Sequence, residues 1–133
     1  MVLTRLDWRG NQLTYSNAGH FPPFIKRQSG TVERISEGGP ALGAIRSSEF
    51  EERQVEFSPS DMFVGYSDGL IECRNPEEEE FGIERLLAEV RRSHHQSASR
   101  ALFSIIAAAQ DFAQQTPQSD DLSLVIVTGA TPR

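Results

Sequence analysis

The stretch Met62-Phe63-Val64-Gly65-Tyr66-Ser67-Asp68-Gly69 constrains this chain more than any other. A short apolar run of strand type stops at Asp68, and Gly69 frees the backbone to turn there. A carboxylate in that position projects from the rim of a sheet and is held by a rigid element. Asp120-Asp121 has the mirror arrangement, standing just before the apolar run Leu122-Ser123-Leu124-Val125-Ile126-Val127-Thr128. If the two runs pair antiparallel, the end of one lies beside the start of the other. Asp68 and Asp120 then meet at one edge of one sheet. Close carboxylates repel unless one is protonated or a cation lies between them. Oxygen-only ligands point to Mg²⁺ or Mn²⁺ rather than Zn²⁺.

The remaining first half reads as hairpins. Val2–Trp8 and Leu13–Ala18 flank a Gly/Asn turn, and Phe24–Arg27 and Thr31–Ile35 flank Gln28-Ser29-Gly30. Gly38–Gly43 is a glycine-rich loop, and Phe50–Phe57 alternates as a half-exposed strand. The second half changes period. Ile83, Leu86, Leu87 and Val90 fall at i, i+3, i+4, i+7, an amphipathic helix. A longer helix is predicted from Ser97 to Gln115, with a serine near its cap. Strands first, a helix pair next and one strand last argue for α+β layering.

Composition narrows the function classes. The 133 residues make a single domain at most. The net charge of −6 argues against general nucleic-acid binding and against an anionic membrane surface. The lone Cys73 excludes an internal disulfide framework and a cysteine-rich zinc site, and fits a reducing cytoplasm. Cys73 itself reads as a packing residue. No run approaches the roughly 18 apolar residues of a membrane span, and the N-terminus has no signal-peptide pattern. Glu77–Glu80 reads as a solvated loop, His94 and His95 as solvated between helices, and Arg46 and Arg53 as solvent-facing, with contact to a phosphate as the other reading of the two arginines.

Four segments carry a resemblance. Leu13-Thr14-Tyr15-Ser16-Asn17-Ala18-Gly19-His20-Phe21-Pro22 is similar to an L-x-Y-x-N-A-G-H-x-P pattern. Gly65-Tyr66-Ser67-Asp68-Gly69-Leu70-Ile71-Glu72, Phe81-Gly82-Ile83-Glu84-Arg85-Leu86 and Asp120-Asp121-Leu122-Ser123-Leu124 match three further motifs in the right order. Together, from about Leu6 to Val127, they resemble the metal-dependent type 2C protein phosphatases, in the bacterial SpoIIE/RsbU branch.

The resemblance implies a layered β-sandwich of antiparallel sheets flanked by helices, with two Mn²⁺ or Mg²⁺ ions at one end. It implies hydrolysis of phosphoserine or phosphothreonine by a metal-activated water. Asp68 and Asp120 match metal ligands. His20 and Glu72 fall on positions linked to a further metal, although the Gly-His-x-Pro turn equally reads as holding His20 only as a hydrogen-bonded loop anchor, and Asp121 caps or orients its neighbour. The implied substrate is a phosphorylated anti-sigma-factor antagonist in a cytoplasmic stress-response pathway, with a homodimer or an upstream sensor domain as further partner. The family's first motif, of the form G-D-V-S-G-H-G, is absent. The expectation is therefore that residues 1–133 form the C-terminal two-thirds of one phosphatase domain, with the N-terminal part missing. Two other readings stand beside this one. A phosphatase-like fold without that first aspartate serves as a non-catalytic regulatory interaction module. Gly65-Tyr66-Ser67-Asp68-Gly69 also satisfies the G-x-S-x-G elbow of serine hydrolases, which requires a helix straight after it. That helix has only Leu70–Asn75 in which to form.

Overall fold

A computed structural model describes residues 1–36, 38–93 and 96–129; His94 and His95, read above as solvated, lie outside the described residues. The strands are β1 (Val2–Asp7), β2 (Gln12–Asn17), β3 (Phe24–Lys26), β4 (Val32–Arg34), β5 (Arg53–Glu56) and β6 (Met62–Tyr66). Three helices follow, α1 (Asp68–Ile71), α2 (Gly82–Arg92) and α3 (Ala98–Ala113), and then β7 (Leu124–Thr128). The strands form two antiparallel sheets, of order β1-β2-β5 and β4-β3-β6-β7. This is the α+β layering that segregated elements demand.

The four-stranded sheet is the middle layer. Met62, Val64 and Tyr66 of β6 pack with Leu70, Leu86, Val90, Ala101, Ile105 and Ala109 of the helices. Phe63, pointing the opposite way, joins Leu13, Tyr15, Ile25, Ile35 and Phe57 between the two sheets. Every residue of β6 is buried, which explains why this strand is continuously apolar. In β2 only one face must be apolar toward the other sheet, so Leu13 and Tyr15 alternate with Thr14 and Ser16.

Polar groups fix the ends. The Asp7 carboxylate accepts the amides of Arg9 and Gly10 at 3.0 and 3.1 Å and shapes the first hairpin turn. Asp61, 4% exposed, accepts from the Arg27 guanidinium at 2.9 Å and from the amides of Gln28 and Ser58. The same guanidinium forks onto Glu33 and holds that carboxyl below the ordinary carboxylate range. Lys26 is buried on the helix side of β3. Its ammonium donates to Ser93 Oγ at 3.1 Å, at the C-terminus of α2, and burial lowers its pKa. The Ser97 hydroxyl caps α3 by accepting the Arg100 amide.

Three boundaries differ from expectation. The Phe50–Phe57 strand shrinks to Arg53–Glu56, because Phe50 turns in against Gly39 and the Phe57 ring is buried beside Trp8. The last strand starts at Leu124 rather than Leu122, because the preceding residues are engaged by Ser67. The chain after Tyr66 continues into the four-residue helix α1 rather than an open turn. No helix among the described residues is long and apolar enough to cross a membrane.

Candidate active site

The pairing of β6 with β7 is antiparallel, with Tyr66 opposite Leu124 at its last position. The residues just beyond, Ser67-Asp68 on one side and Asp120–Ser123 on the other, therefore adjoin at the rim. Ser67 ties them together. Its amide donates to the Ser123 carbonyl at 3.0 Å, its hydroxyl donates to the Asp121 carbonyl at 3.1 Å, and the Ser123 amide donates back to that hydroxyl at 2.9 Å. Gly69 sets how close the two arms come. A β-carbon there would lie 2.3 Å from the Asp121 carbonyl oxygen and 3.2 Å from that of Asp120. Gly69 is thus needed for close backbone approach, not for the turn conformation first read into it.

Each carboxylate is oriented from its own element. Asp68 Oδ1 accepts the Gly69 amide at 3.0 Å, and Asp120 Oδ1 accepts the Asp121 amide at 2.7 Å. The side-chain amide of Gln118 donates to the Asp120 carbonyl. Glu72 follows Asp68 by one helical turn, its amide bonded to the Asp68 carbonyl at 2.8 Å, so both acids lie along one side of α1. Asp68, Glu72, Asp120 and Asp121 are all exposed. These are hard oxygen donors of the kind Mg²⁺ and Mn²⁺ take. Among the described residues, however, no three His, Cys, Asp or Glu side chains gather closely enough to hold a metal. The donors fit such an ion in kind, and make a partial ligand set.

His20 occupies a turn at the same end of the sheets. Its amide donates to Asn17 Oδ1 at 2.8 Å, the Asn17 side-chain amide donates to the His20 carbonyl at 3.0 Å, and Nδ1 lies 2.8 Å from the Phe21 carbonyl. With the proton on Nδ1, that carbonyl leaves Nε2 as the free lone pair. The next turn residue, Pro22, offers its carbonyl to the Tyr66 hydroxyl at 3.1 Å, which ties the His20 turn to the end of β6. Cys73 is buried and its thiol is pushed up by desolvation, in keeping with a packing role. Arg53 is exposed and pairs with Glu51, and Arg46 is exposed.

The bracing roles of Ser67 and Gln118 were not read from sequence. For Ser67 the signal was there, since a hydroxyl at a strand end facing Ser123 can bond across the pair. Its single O–H donor is spent on the Asp121 carbonyl and its oxygen accepts the Ser123 amide, and only the four-residue α1 follows it. That arrangement does not make a serine-hydrolase elbow. Ser67→Ala is expected to lower stability by about 1 kcal/mol, the worth of a hydrogen bond. Any hydrolytic activity should stay within an order of magnitude of wild type. A chemical denaturation curve and a turnover assay read the two effects, and loss of all turnover in a folded variant would restore the serine as nucleophile.

Two packed antiparallel sheets, a helix pair on one of them and an acidic rim where β6 pairs with the edge strand β7 define the type 2C phosphatase fold. The SiaA-PP2C domain of Pseudomonas aeruginosa superposes with a TM-score of 0.83 over 97% of this chain and 51% of its own, at 19% identity. The chain belongs to the SpoIIE family: the family described as Stage II sporulation protein E (SpoIIE) matches residues 1–129. It is 31% identical to Protein IcfG of Synechocystis sp. (strain ATCC 27184 / PCC 6803 / Kazusa) over 122 residues, 92% of this chain and 19% of that protein. It is 28% identical to phosphoserine phosphatase RsbU of Bacillus subtilis (strain 168) over 120 residues, 88% of this chain and 35% of that protein. The chain thus spans a minor part of the curated relatives it matches, and about half of the solved domain.

Proposed function

We propose that this chain is part of a metal-dependent protein serine/threonine phosphatase domain, and that Asp68 and Asp120 are its metal ligands, with Glu72 and His20 at the margin of the same site. The observation that carries this reading is the pinned rim. Ser67 and Gly69 bring two carboxylate-bearing backbone arms into contact in a chain of the SpoIIE family. When bound there, Mn²⁺ or Mg²⁺ supplies charge neutralisation for phosphoryl oxygens and lowers the pKa of water for in-line attack. The chain's own part is orientation. The Gly69 and Asp121 amides each hold one carboxylate oxygen and leave the other free. The Asn17–His20 clamp fixes a histidine at the same end of the sheets.

The relative RsbU is named a phosphoserine phosphatase, which supports a phosphoprotein substrate. We propose a phosphorylated anti-sigma-factor antagonist in a cytoplasmic partner-switching pathway, with a homodimer or an upstream sensor domain as further partner. A second reading, a non-catalytic regulatory module, is favoured by the partial ligand set among the described residues. Hydrolysis of an aryl phosphate with and without Mn²⁺ separates the two. The phosphatase reading expects turnover that requires the ion. A folded chain that neither turns over nor binds Mn²⁺ is the regulatory module.

A further inference from the structure

A cavity of about 140 Å³ on the helix side of the four-stranded sheet has no part in the proposed chemistry. Its walls come from three parts of the chain. Cys73 and Arg74 follow α1, Ala109 to Gln114 are the last turns of α3, and residues 116–118 with Leu122 belong to the segment between α3 and β7. That segment is the arm that carries Asp120 and Asp121 to the rim.

The floor of the cavity is apolar. Cys73 and Ala109 are 9% and 2% exposed, and Ala113 and Leu122 are half-buried. Its lip is made of amides, since Gln110, Gln114 and Gln118 line it and are all exposed. The side-chain amides of Gln110 and Gln114 make no hydrogen bond among the described residues. Gln118 spends an N–H on the Asp120 carbonyl at 2.5 Å, which leaves its oxygen to accept. Gln114 ends α3 at φ of +53°, a range that favours glycine, so its place at the lip is kept against backbone strain. No carboxylate among the described residues lines the cavity. The Arg74 guanidinium beside it is taken by Glu78 and Glu80 at 3.2 and 3.1 Å.

Volume and lining set the class of occupant. An apolar cavity of about 150 Å³ takes up one benzene ring, so this one has room for a single ring. An apolar floor with no free counter-charge penalises an ionised ring, whose desolvation would go uncompensated. Amides with open donors and acceptors favour an edge that both accepts and donates. We propose that this cavity binds a small, neutral, planar ring with a carboxamide or lactam edge, and that the occupant braces the Asp120 arm from behind. The ring lies on Ala109, Ala113 and Leu122, and its edge meets the glutamines at the lip. The bracing follows from shared residues. Gln118 lines the cavity and holds the Asp120 carbonyl, and Leu122 lines it next to Ser123, which is bonded to Ser67 through both its amide and its carbonyl. The binding site stands apart from the phosphatase reading; only its effect on a metal at the rim rests on that reading.

The test titrates benzamide into the whole chain and follows amide resonances. Saturable shifts are expected at Ala109, Leu122 and the three glutamine side chains, with a dissociation constant on the order of 1 mM, the scale for a single ring. Benzoate, of the same size but charged, should bind at least tenfold more weakly. Ala113→Leu fills the cavity and should abolish the shifts. Gln114→Gly relieves the positive φ, so it should unfold at a higher temperature yet bind benzamide more weakly, which keeps the test decisive if Ala113→Leu does not fold. At saturation, hydrogen exchange of the Ser123 amide should slow at least threefold. No saturable shift, equal binding of benzoate, or full affinity in a folded Ala113→Leu or in Gln114→Gly overturns the site. Binding that leaves Ser123 exchange unchanged overturns the bracing. With Mn²⁺ present, benzamide and the ion should tighten each other's binding by one and the same factor, because coupling between two sites is reciprocal. A chain that binds benzamide and slows Ser123 exchange but takes up no Mn²⁺ defeats the metal reading and leaves the cavity site standing.

Discussion

Gly69→Ala is expected to cost about 1–3 kcal/mol of stability, the usual range for forcing a methyl into filled space, and to part the two acidic arms. The clash cannot be relieved by a side-chain rotation. The new β-carbon would stand 2.3 Å from the Asp121 carbonyl oxygen and 2.8 Å from its carbon, both backbone atoms. That carbonyl also accepts the Ser67 hydroxyl, and a few residues later β7 is locked in register with β6. The strand cannot slide, so the segment carrying Asp120 and Asp121 must lift. The helical backbone at Gly69 itself suits alanine, so the penalty is steric, not conformational. Gly43→Ala is the control. Gly43 has φ of +82° but open space around its α-carbon, so a substitution there brings backbone strain without a clash. Urea denaturation should show the larger loss for Gly69→Ala. Mn²⁺ titration should show weakened binding in that variant alone. A wild-type denaturation midpoint for Gly69→Ala would mean the two arms do not touch as described.

The middle layer was legible because β6 and β7 are strongly apolar over short runs, with acids just after the first and just before the second. Antiparallel pairing with Tyr66 opposite Leu124 then brings the two acidic segments to one rim, as their order in the chain suggested. The helix pair was legible from its period, and Ser97 from its capping chemistry. What sequence did not reveal depends on contacts between distant residues. Asp61 stands in the turn just before β6, yet it is buried and gathers Arg27, Gln28 and Ser58 into one knot. Gly69 looked like a turn glycine, yet its reason for being glycine lies more than fifty positions away at Asp121. Phe50 fits the alternation of a strand, but the approach of Gly39 draws it out of the sheet. Local pattern finds elements; it does not find which backbone atoms must come within contact distance of each other.

Asp68→Asn and Asp120→Asn are each expected to reduce Mn²⁺-dependent turnover on the order of 100-fold or more, the scale of removing one electrostatic group from a catalytic site. Asparagine keeps the shape and the side-chain oxygen that accepts the neighbouring amide, so the local turns survive. What is lost is charge. In the absence of metal the fold should hold or gain slightly, because one of four exposed carboxylates at the rim no longer repels the others. In Mn²⁺ the order reverses: the wild type gains stability by linkage and the variants do not. Thermal unfolding with and without the ion therefore reads the role of each aspartate independently of turnover. The double variant decides whether the two acids serve one ion. If they do, the second substitution removes little beyond the first, because groups that act as a unit are not additive. Additive losses would mean separate sites. If Asp68→Asn keeps both its Mn²⁺-dependent unfolding shift and its turnover, Asp68 is a turn residue, and the pinned rim is a structural joint rather than a metal centre.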